Sequence, residues 1–537
     1  MTLSFRITSI TSNSGDVVSL PSDAVTVVVG ANNAGKSQLL RDIAMVLSQE
    51  TAVPKTLLAI EAHRPRPADD AEAGIWLDEY ATVAHSQSGQ LHWMPNVGGA
   101  NPVSASQFRA NLEYGAARPF PYLGSAAPFF VHSASAGTLA RYASGSAPVG
   151  MSYDGQTSPL GQLYRDGALE EELNTLAKAS FGQEVLLDRA NQEIRLRVGA
   201  IDVPVPPLNR PTRQYADAVL QLPTLDDQGD GMKSFIGLAL LVMARPPGVL
   251  LIDEPEAFLH PGQARALGRW LGGAARDRQL QIVVATHDRD LLLGLLESDA
   301  PVNVVRIVRD DDDTQLTQLL PDQVREVWND PVLRYSNVLQ GLFHAQVVVC
   351  ESDGDCRFFG AALDTYAASE GKRALADEVL FVPGGGKQRV AAIARALGHL
   401  KVRSRAIVDF DVLRSRDMLI GIVSGVGGTW LDEMAADYVA AVEPIQTGGI
   451  WDQVKSQGLS AVPAGAPNAA AARLLESLRA TGVHVVPVGE MEGFDRSQAL
   501  HGAAWVSNAI ENSVHASAPV RDFVAPVIDG HADTATD

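Results

Sequence analysis

At 537 residues the chain exceeds the roughly 250 to 300 residues at which single cores stop growing, so two domains are expected. Hydrophobic residues at 46% and charged residues at 20% are ordinary for a globular protein and exclude overall disorder. The 43 Lys and Arg against 63 Asp and Glu leave a formal charge of -20, which excludes global attraction to a polyanion, so DNA could be met only through a local basic surface or bound metal.

Residues 3–9 and 25–29 are β-branched or alternating apolar runs between Ser, Asn, Gly and Asp turns and predict strands, followed by a helix at about 36–49. The region 85–160, rich in Gly, Ser, Ala and Pro, predicts an insertion with long loops. A hairpin around Ala190-Asn191 is expected within 184–205, then a polar turn at 225–231 and a helix at about 232–244. Strands at 248–252 and 281–285, each followed by a helical stretch, predict a parallel, doubly covered sheet, which strands at 302–308 and 315–319 close. After a helix at about 331–343 the alternation restarts with strands at 346–350, 379–382 and 405–408, marking a second α/β domain. The Ala/Pro-rich stretch 461–472 reads as a loop entering a helix, and the last dozen residues are expected to fray.

The two cysteines, Cys350 and Cys356, form neither a CxxC pair nor a Cys/His cluster, so a reducing, cytoplasmic setting is expected. The opening MTLSFRITSI has no signal-peptide pattern, and the apolar runs 235–244 and 248–252 fall short of the roughly 20 residues of a membrane helix.

Gly30-Ala31-Asn32-Asn33-Ala34-Gly35-Lys36-Ser37 fits GxxxxGK[ST] between a predicted strand and helix. Its glycines let backbone N–H groups face phosphates at a helix N-terminus. Lys36 is placed for the β- and γ-phosphates and Ser37 for Mg²⁺. Gly30, Asn32, Asn33, Gly35, Lys36, Ser37 and Gln38, with Asp253, form the expected ATP-binding set. The apolar run 249–252 ends in Asp253-Glu254, which suits Asp253 to the Mg²⁺ and Glu254 to polarising the attacking water. His287 follows the next strand directly.

The series GANNAGKS, LLIDEPEAFLHP and VVATHD resembles the ABC-type ATPase heads of SMC, RecF and OLD proteins. The resemblance implies that His287 senses the γ-phosphate, that Leu259-His260-Pro261 meets a partner subunit, and that the head works as a homodimer or higher homo-oligomer. At the place of the ABC signature, Gln228-Gly229-Asp230-Gly231-Met232-Lys233-Ser234 departs from Leu-Ser-Gly-Gly-Gln, and helix capping by Asp230 is the plain alternative. No heptad run between 50 and 225 predicts a coiled-coil arm.

In the second α/β region, strand 346–350 ends at Glu351, Asp355 follows at a helix start, and strand 405–408 ends in Asp409-Phe410-Asp411. Residues i and i+2 of a strand share a face, so both aspartates are expected at one rim with Glu351. Carboxylates gathered there repel unless cations hold them, and one or two Mg²⁺ or Mn²⁺ ions suit phosphodiester cleavage. VVVCESDGD and IVDFDV resemble the TOPRIM fold of topoisomerases, primases and OLD nucleases, with Ser352 where Gly is frequent. Val488-Gly489-Glu490-Met491-Glu492-Gly493 resembles the late acidic segment of OLD TOPRIM domains, and either Glu490 or Glu492 would join the metal. Pro383-Gly384-Gly385-Gly386-Lys387 is either a DNA-phosphate contact or a tight turn. OLD nucleases commonly use a late lysine; none follows Lys455 here, which leaves His501 or Arg496 as substitutes.

The expected fold class is therefore α/β: an ABC-type P-loop ATPase domain at 1–344, with the loop-rich insertion, then a smaller TOPRIM-like domain with a parallel sheet at 345–537. The resemblance to OLD-family ATP-dependent endonucleases implies an ATP-gated, Mg²⁺-dependent DNA endonuclease of phage defence or DNA processing, with a helicase or other defence-system protein as a conceivable partner. The alternative is a DNA-binding regulatory ATPase whose TOPRIM domain is weak or inactive. A topoisomerase or primase is disfavoured, because neither a zinc ribbon nor room for extra domains is present.

Overall fold

The computed structural model describes residues 3–85, 91–97, 101–114, 119–145, 158–189, 193–207, 212–244, 248–329, 337–497 and 500–529. The chain forms two compact units, Met1–Arg325 and Glu326–Asp537, so the division comes before the expected 344/345 boundary.

The first unit is built on a six-stranded sheet in the order Asp313–Leu319, Val302–Asp310, Val25–Val29, Gln281–Ala285, Val249–Asp253, Val131–Ser135. All neighbours are parallel except the first pair. Val25–Val29 and Gln281–Ala285 are buried along their whole length, which is why they read as mainly apolar runs, with Thr26 and Gln281 the buried polar exceptions. The helix Lys36–Ser48 turns Leu39, Leu40, Ile43, Val46 and Leu47 inward, each worth roughly 1.5 to 3 kcal/mol of burial. An antiparallel sheet of Val17–Ser19, Arg6–Ser12 and Leu57–His63 joins this core.

The reading of 85–160 as a loop-rich insertion is corrected. Val131–Ser135 is a strand of the central sheet, paired in parallel with Val249–Asp253, and Ala105–Glu113 and Ala136–Ala143 are helices. The helix Ala136–Ala143 packs closely on the helix Asp230–Met243: a Cβ at Gly237 would lie 2.0 Å from the Leu139 carbonyl oxygen. The expected hairpin pairs Val185–Asp188 with Arg195–Val198, while its tip at 190–192 lies outside the described residues. Of the helix expected at 331–343, only Asn337–Phe343 is described, as a 3-10 helix. Of the last dozen residues, Pro526–Asp529 is a short helix and 530–537 lie outside the description.

The second unit has four parallel strands in the order Val379–Pro383, Gln346–Cys350, Arg403–Val408, Val483–Val485. The long helix Asp353–Ser369 packs Phe358, Phe359, Ala362 and Leu363 into a core with Trp505 and Val524. The helix predicted after 461–472 is Ala466–Ala480. Among the described residues no helix is long and apolar enough to cross a membrane.

Candidate functional sites

The glycine-rich loop lies between Val25–Val29 and the helix Lys36–Ser48. Gly30 is required there because a Cβ would stand 2.4 Å from the Ile307 carbonyl oxygen. Gly35, with φ 99°, is the N-cap, and Asn33 takes φ 61°, so the loop curls its amides toward one concavity. Lys36 is buried and its Nζ donates to the carbonyls of Gly30 and Ala31, both at 2.9 Å. Ser37 Oγ donates to Asp253 Oδ1 at 2.8 Å, which joins the two expected Mg²⁺ groups across 216 positions of sequence. Burial raises the Asp253 carboxyl, and the Ser37 hydroxyl pulls it back.

A cavity of about 1010 Å³ is lined by Asn32, Asn33, Gly35, Lys36, Ser37, Gln38 and Glu254. It is also lined by Arg41, Lys55 and Arg309, cations that the sequence reading did not single out. Gln38 spends its Nε2 on Asp42 Oδ1 at 2.7 Å. Asp42 itself is fully buried and accepts from the amides of Lys55 and Thr56.

Glu254 has φ 51°, and its backbone N–H continues the sheet by donating to Ala285. His287 Nδ1 lies 3.3 Å from Glu254 Oε1 and 3.6 Å from Glu256 Oε1. Sequence reading passed over Glu256, which is 5% exposed and accepts from Thr286 Oγ1 at 2.6 Å and from the His287 amide at 3.3 Å. Burial pushes its carboxyl up to about 7 against the pull of Thr286. The only signal for it was a third acid in LLIDEPE, which otherwise resembles a solvated turn.

Around the signature position, Gly229, not Asp230, is the N-cap of Asp230–Met243, and the Asp230 side chain in the first turn pairs with Lys233 at 2.9 Å. Asp230 thus stands one position inside the cap the sequence reading gave it. His260, expected at a partner contact, closes a capping box with Gln263, and Pro261 opens the following helix.

In the second unit the acids gather at the C-terminal ends of adjacent parallel strands. Glu351, Asp409 and Asp411 each offer one oxygen, and these atoms all lie within 4.8 Å of one another. Glu351 Oε1 accepts from the Asp409 amide at 3.0 Å, while amides of Gly384 and Gly386 bond the carbonyls of Cys350 and Glu351. The expected i, i+2 strand alternation is not what joins the aspartates. The strand ends at Val408 and Phe410–Arg414 is a 3-10 helix, so a turn brings Asp411 round to Asp409.

Burial, then Glu351 and the other acids around it, push Asp409 up to about 9, and burial also raises Glu351. Asp411 Oδ1 is buried without a hydrogen-bond partner, and Lys387 Nζ lies 2.6 Å from its Oδ2. An orphaned oxygen and a carboxyl forced to hold its proton are what a divalent ion would relieve, so these three residues fit Mg²⁺ or Mn²⁺.

Asp355 lines the same cavity, of about 820 Å³, but its Oδ2 accepts from Ser352 in a capping box, so part of its capacity serves the helix Asp353–Ser369. Glu490 and Glu492 also line it. Glu490 is raised by burial and by Glu492, and Lys455 Nζ stands 3.9 Å from it. Glu492 Oε1 accepts from the Gly502 amide, leaving Glu490 the freer of the two. Arg496 donates to the carbonyls of Ser456 and Val488, so it does not stand in for a late lysine. His501 is the N-cap of Gly502–Glu511 and its charge acts on Glu490. At 383–387 the turn reading fits what is seen: the amides of Gly384 and Gly386 cross-brace two strand ends and Lys387 pairs with Asp411.

A family model described as "AAA domain, putative AbiEii toxin, Type IV TA system" matches residues 175–294, the span that includes Asp253, Glu254 and His287. An uncharacterized protein of Methanocaldococcus jannaschii is 36% identical over 69 residues, which is 13% of this chain and 60% of that protein. An OLD nuclease of Thermus scotoductus is 31% identical over 160 residues, 28% of this chain and 30% of the nuclease. The phosphonates import ATP-binding protein PhnC of Wolinella succinogenes is 30% identical over 93 residues, 17% of this chain and 34% of its own length. The chain thus spans less than two thirds of each of these relatives. Among solved structures, an Smc head bound to the C-winged helix domain of ScpA aligns with TM-score 0.35 and 12% identity over 60% of this chain and 98% of its own. The SMC head domain from Thermotoga maritima aligns with TM-score 0.30 and 16% identity over 59% and 99%. An ATPase domain is thus present in the chain, alongside a partial likeness to an OLD nuclease.

Proposed function

We propose that this chain is a divalent-metal-dependent DNA endonuclease of OLD type, in which an ABC/SMC-like nucleotide head gates a TOPRIM-type nuclease unit. The observation that carries the reading is the convergence of Glu351, Asp409 and Asp411 within 4.8 Å at the ends of neighbouring parallel strands. Those residues, with Asp355 and Glu490, which line a cavity together with Glu351 and Asp409, would hold Mg²⁺ or Mn²⁺. When bound, a divalent ion supplies charge stabilisation to a phosphodiester under attack. Arg389, exposed on the cavity wall beside Gly385, offers a DNA phosphate a cation despite the net charge of -20.

The late lysine of the family has two substitutes in space, Lys387 beside Asp411 and Lys455 beside Glu490. That favours an active nuclease over the regulatory reading. In the head, Lys36, Ser37 and Asp253 would hold ATP and Mg²⁺, with Glu254 as base and His287 as γ-phosphate sensor. Pairing of two heads, a defence or DNA-processing role, and engagement of a helicase or other defence protein belong to the same proposal.

Plasmid cleavage by the purified chain in Mg²⁺ or Mn²⁺, with and without ATP, tests it against Lys36→Ala and Glu351→Ala. Metal-dependent nicking that Glu351→Ala abolishes, and whose ATP response Lys36→Ala removes, is expected. Absence of nicking under every condition would leave the regulatory ATPase as the better account.

A further inference from the structure

The acidic run after strand Val249–Asp253 contains one carboxylate to which neither the nucleotide site nor the motif assigns work. The turn that follows the strand has two residues in the left-handed region, Glu254 at φ 51° and Phe258 at φ 69°, and it is closed by amides of Ala257 and Leu259 on the carbonyls of Glu254 and Glu256. Between them Glu256 folds inward while Glu254 stays at the cavity, its side chain 43% exposed against 4% for Glu256. Adjacent acids of one turn are thus sent to opposite environments.

Glu256 Oε1 meets three groups of the segment after strand Gln281–Ala285: the Thr286 hydroxyl at 2.6 Å, the His287 amide at 3.3 Å and His287 Nδ1 at 3.6 Å. Thr286 is itself fully buried, and its Oγ1 accepts the Asp288 amide at 2.9 Å while its own amide donates to Val28. Asp288 then caps the helix Arg289–Glu297 through Leu291. One carboxylate oxygen therefore fixes the direction of the Thr286 hydroxyl, and through it the backbone of 286–288. Glu256 Oε2 is buried with no hydrogen-bond partner. Keeping a carboxyl there is costly to the fold, and a plain turn would not require it.

We propose that Glu256 is a positioning residue for ATP hydrolysis: it anchors the Thr286–His287–Asp288 segment so that the His287 ring stays beside Glu254. The proposal rests on the reading of Glu254 and His287 as the hydrolytic base and γ-phosphate sensor. Glu256 touches neither nucleotide nor water in this role. Its acceptor geometry does the positioning, so an amide of the same shape should replace it.

The test is steady-state ATP hydrolysis by the full chain with Mg²⁺, comparing Glu256→Ala, Glu256→Gln and Thr286→Val, with thermal melting of each. Glu256→Ala and Thr286→Val are expected to lower kcat about tenfold or more while KM for ATP moves less than about threefold, since misplacement of a catalytic group by 1 Å has effects of that size or greater. Glu256→Gln is expected to recover at least about half of the wild-type kcat, because its Oε1 can take the same bonds. If the alanine variant does not fold, the glutamine and valine variants carry the decision. Wild-type kcat in Thr286→Val, a loss expressed mainly in KM, or a folded Glu256→Gln as slow as Glu254→Gln would each overturn the positioning role. Glu254→Gln and His287→Ala with full activity would overturn the underlying reading and the positioning role with it, a pattern distinct from loss in those two variants with wild-type kcat in Thr286→Val, which overturns the positioning role alone.

Discussion

The ammonium of Lys387 lies 2.6 Å from Oδ2 of Asp411, so a cation of the chain closes one side of the carboxylate group formed with Glu351 and Asp409. It also lowers the proton affinity of Glu351, offsetting part of the effect of burial. A lysine in that place competes with a divalent ion for Asp411 and presents a charge to any phosphate drawn into the cavity. Lys387→Ala should therefore bind Mn²⁺ more tightly, by roughly tenfold near pH 8.5, yet cleave DNA more slowly. Calorimetric Mn²⁺ titration without nucleotide reads the first effect. Unchanged affinity would remove Lys387 from the electrostatics of the metal centre.

Asp409 gives a pH dependence with a definite sign. Its carboxyl sits at about 9 in the fold against an ordinary 3.8, so the folded metal-free chain holds this proton more tightly than the unfolded chain does. The associated stability is present in full below about pH 4 and is lost as pH rises through about 9. A divalent ion must displace the proton, so Mn²⁺ affinity should rise from about pH 6 to about pH 8.5, by up to about tenfold per unit. Proton release on binding, measured in buffers of different ionisation enthalpy, checks it. A flat affinity across that range would show that the ion does not use Asp409.

Lys36→Ala should abolish nucleotide binding without disturbing the second unit's metal affinity. In the wild type, ATP at about 100 times its Kd should stabilise the head by about 2.7 kcal/mol, and the variant should show no shift in melting temperature. Ser37→Ala and Asp253→Asn should each weaken the Mg²⁺-dependent part of the shift, because their side chains meet at 2.8 Å. Equal shifts in the presence of EDTA would argue against a shared ion.

His484 is 1% exposed, its Nε2 is 3.3 Å from Arg405 Nη1, and its Nδ1 is buried without a partner. Burial, then the charges of Arg405 and Arg479, push it down to about 3 from 6.5. The neutral ring is thus the form the fold accepts. Stability linked to it is complete above about pH 6.5 and is lost as pH falls toward 3, a difference on the order of 5 kcal/mol over the whole span. His484→Gln should be less stable than wild type at neutral pH but flatter in urea midpoint between pH 6.5 and 3.5. Parallel curves would show that His484 does not govern acid sensitivity.

The sequence by itself determined the phosphate loop, because Gly30, Gly35, Lys36 and Ser37 act through backbone conformation and neighbouring positions within eight residues. It also determined most strands of the two central sheets, since strands covered on both faces are mainly apolar, and the placing of Glu351, Asp409 and Asp253 where those runs end, but not Val131–Ser135 or Val483–Val485. Tertiary structure alone decided what these groups meet. Val131–Ser135 joins the central sheet although its HSAS residues lack a strand's apolar signature, because its partner Val249–Asp253 provides the ladder. Asp411 reaches Asp409 through a 3-10 turn, Lys387 reaches Asp411 across 24 positions, and Glu256 reaches Thr286 across 30. Such pairings depend on strand order and the direction of each turn, which arise from packing over long separations, and no local pattern of residues encodes them.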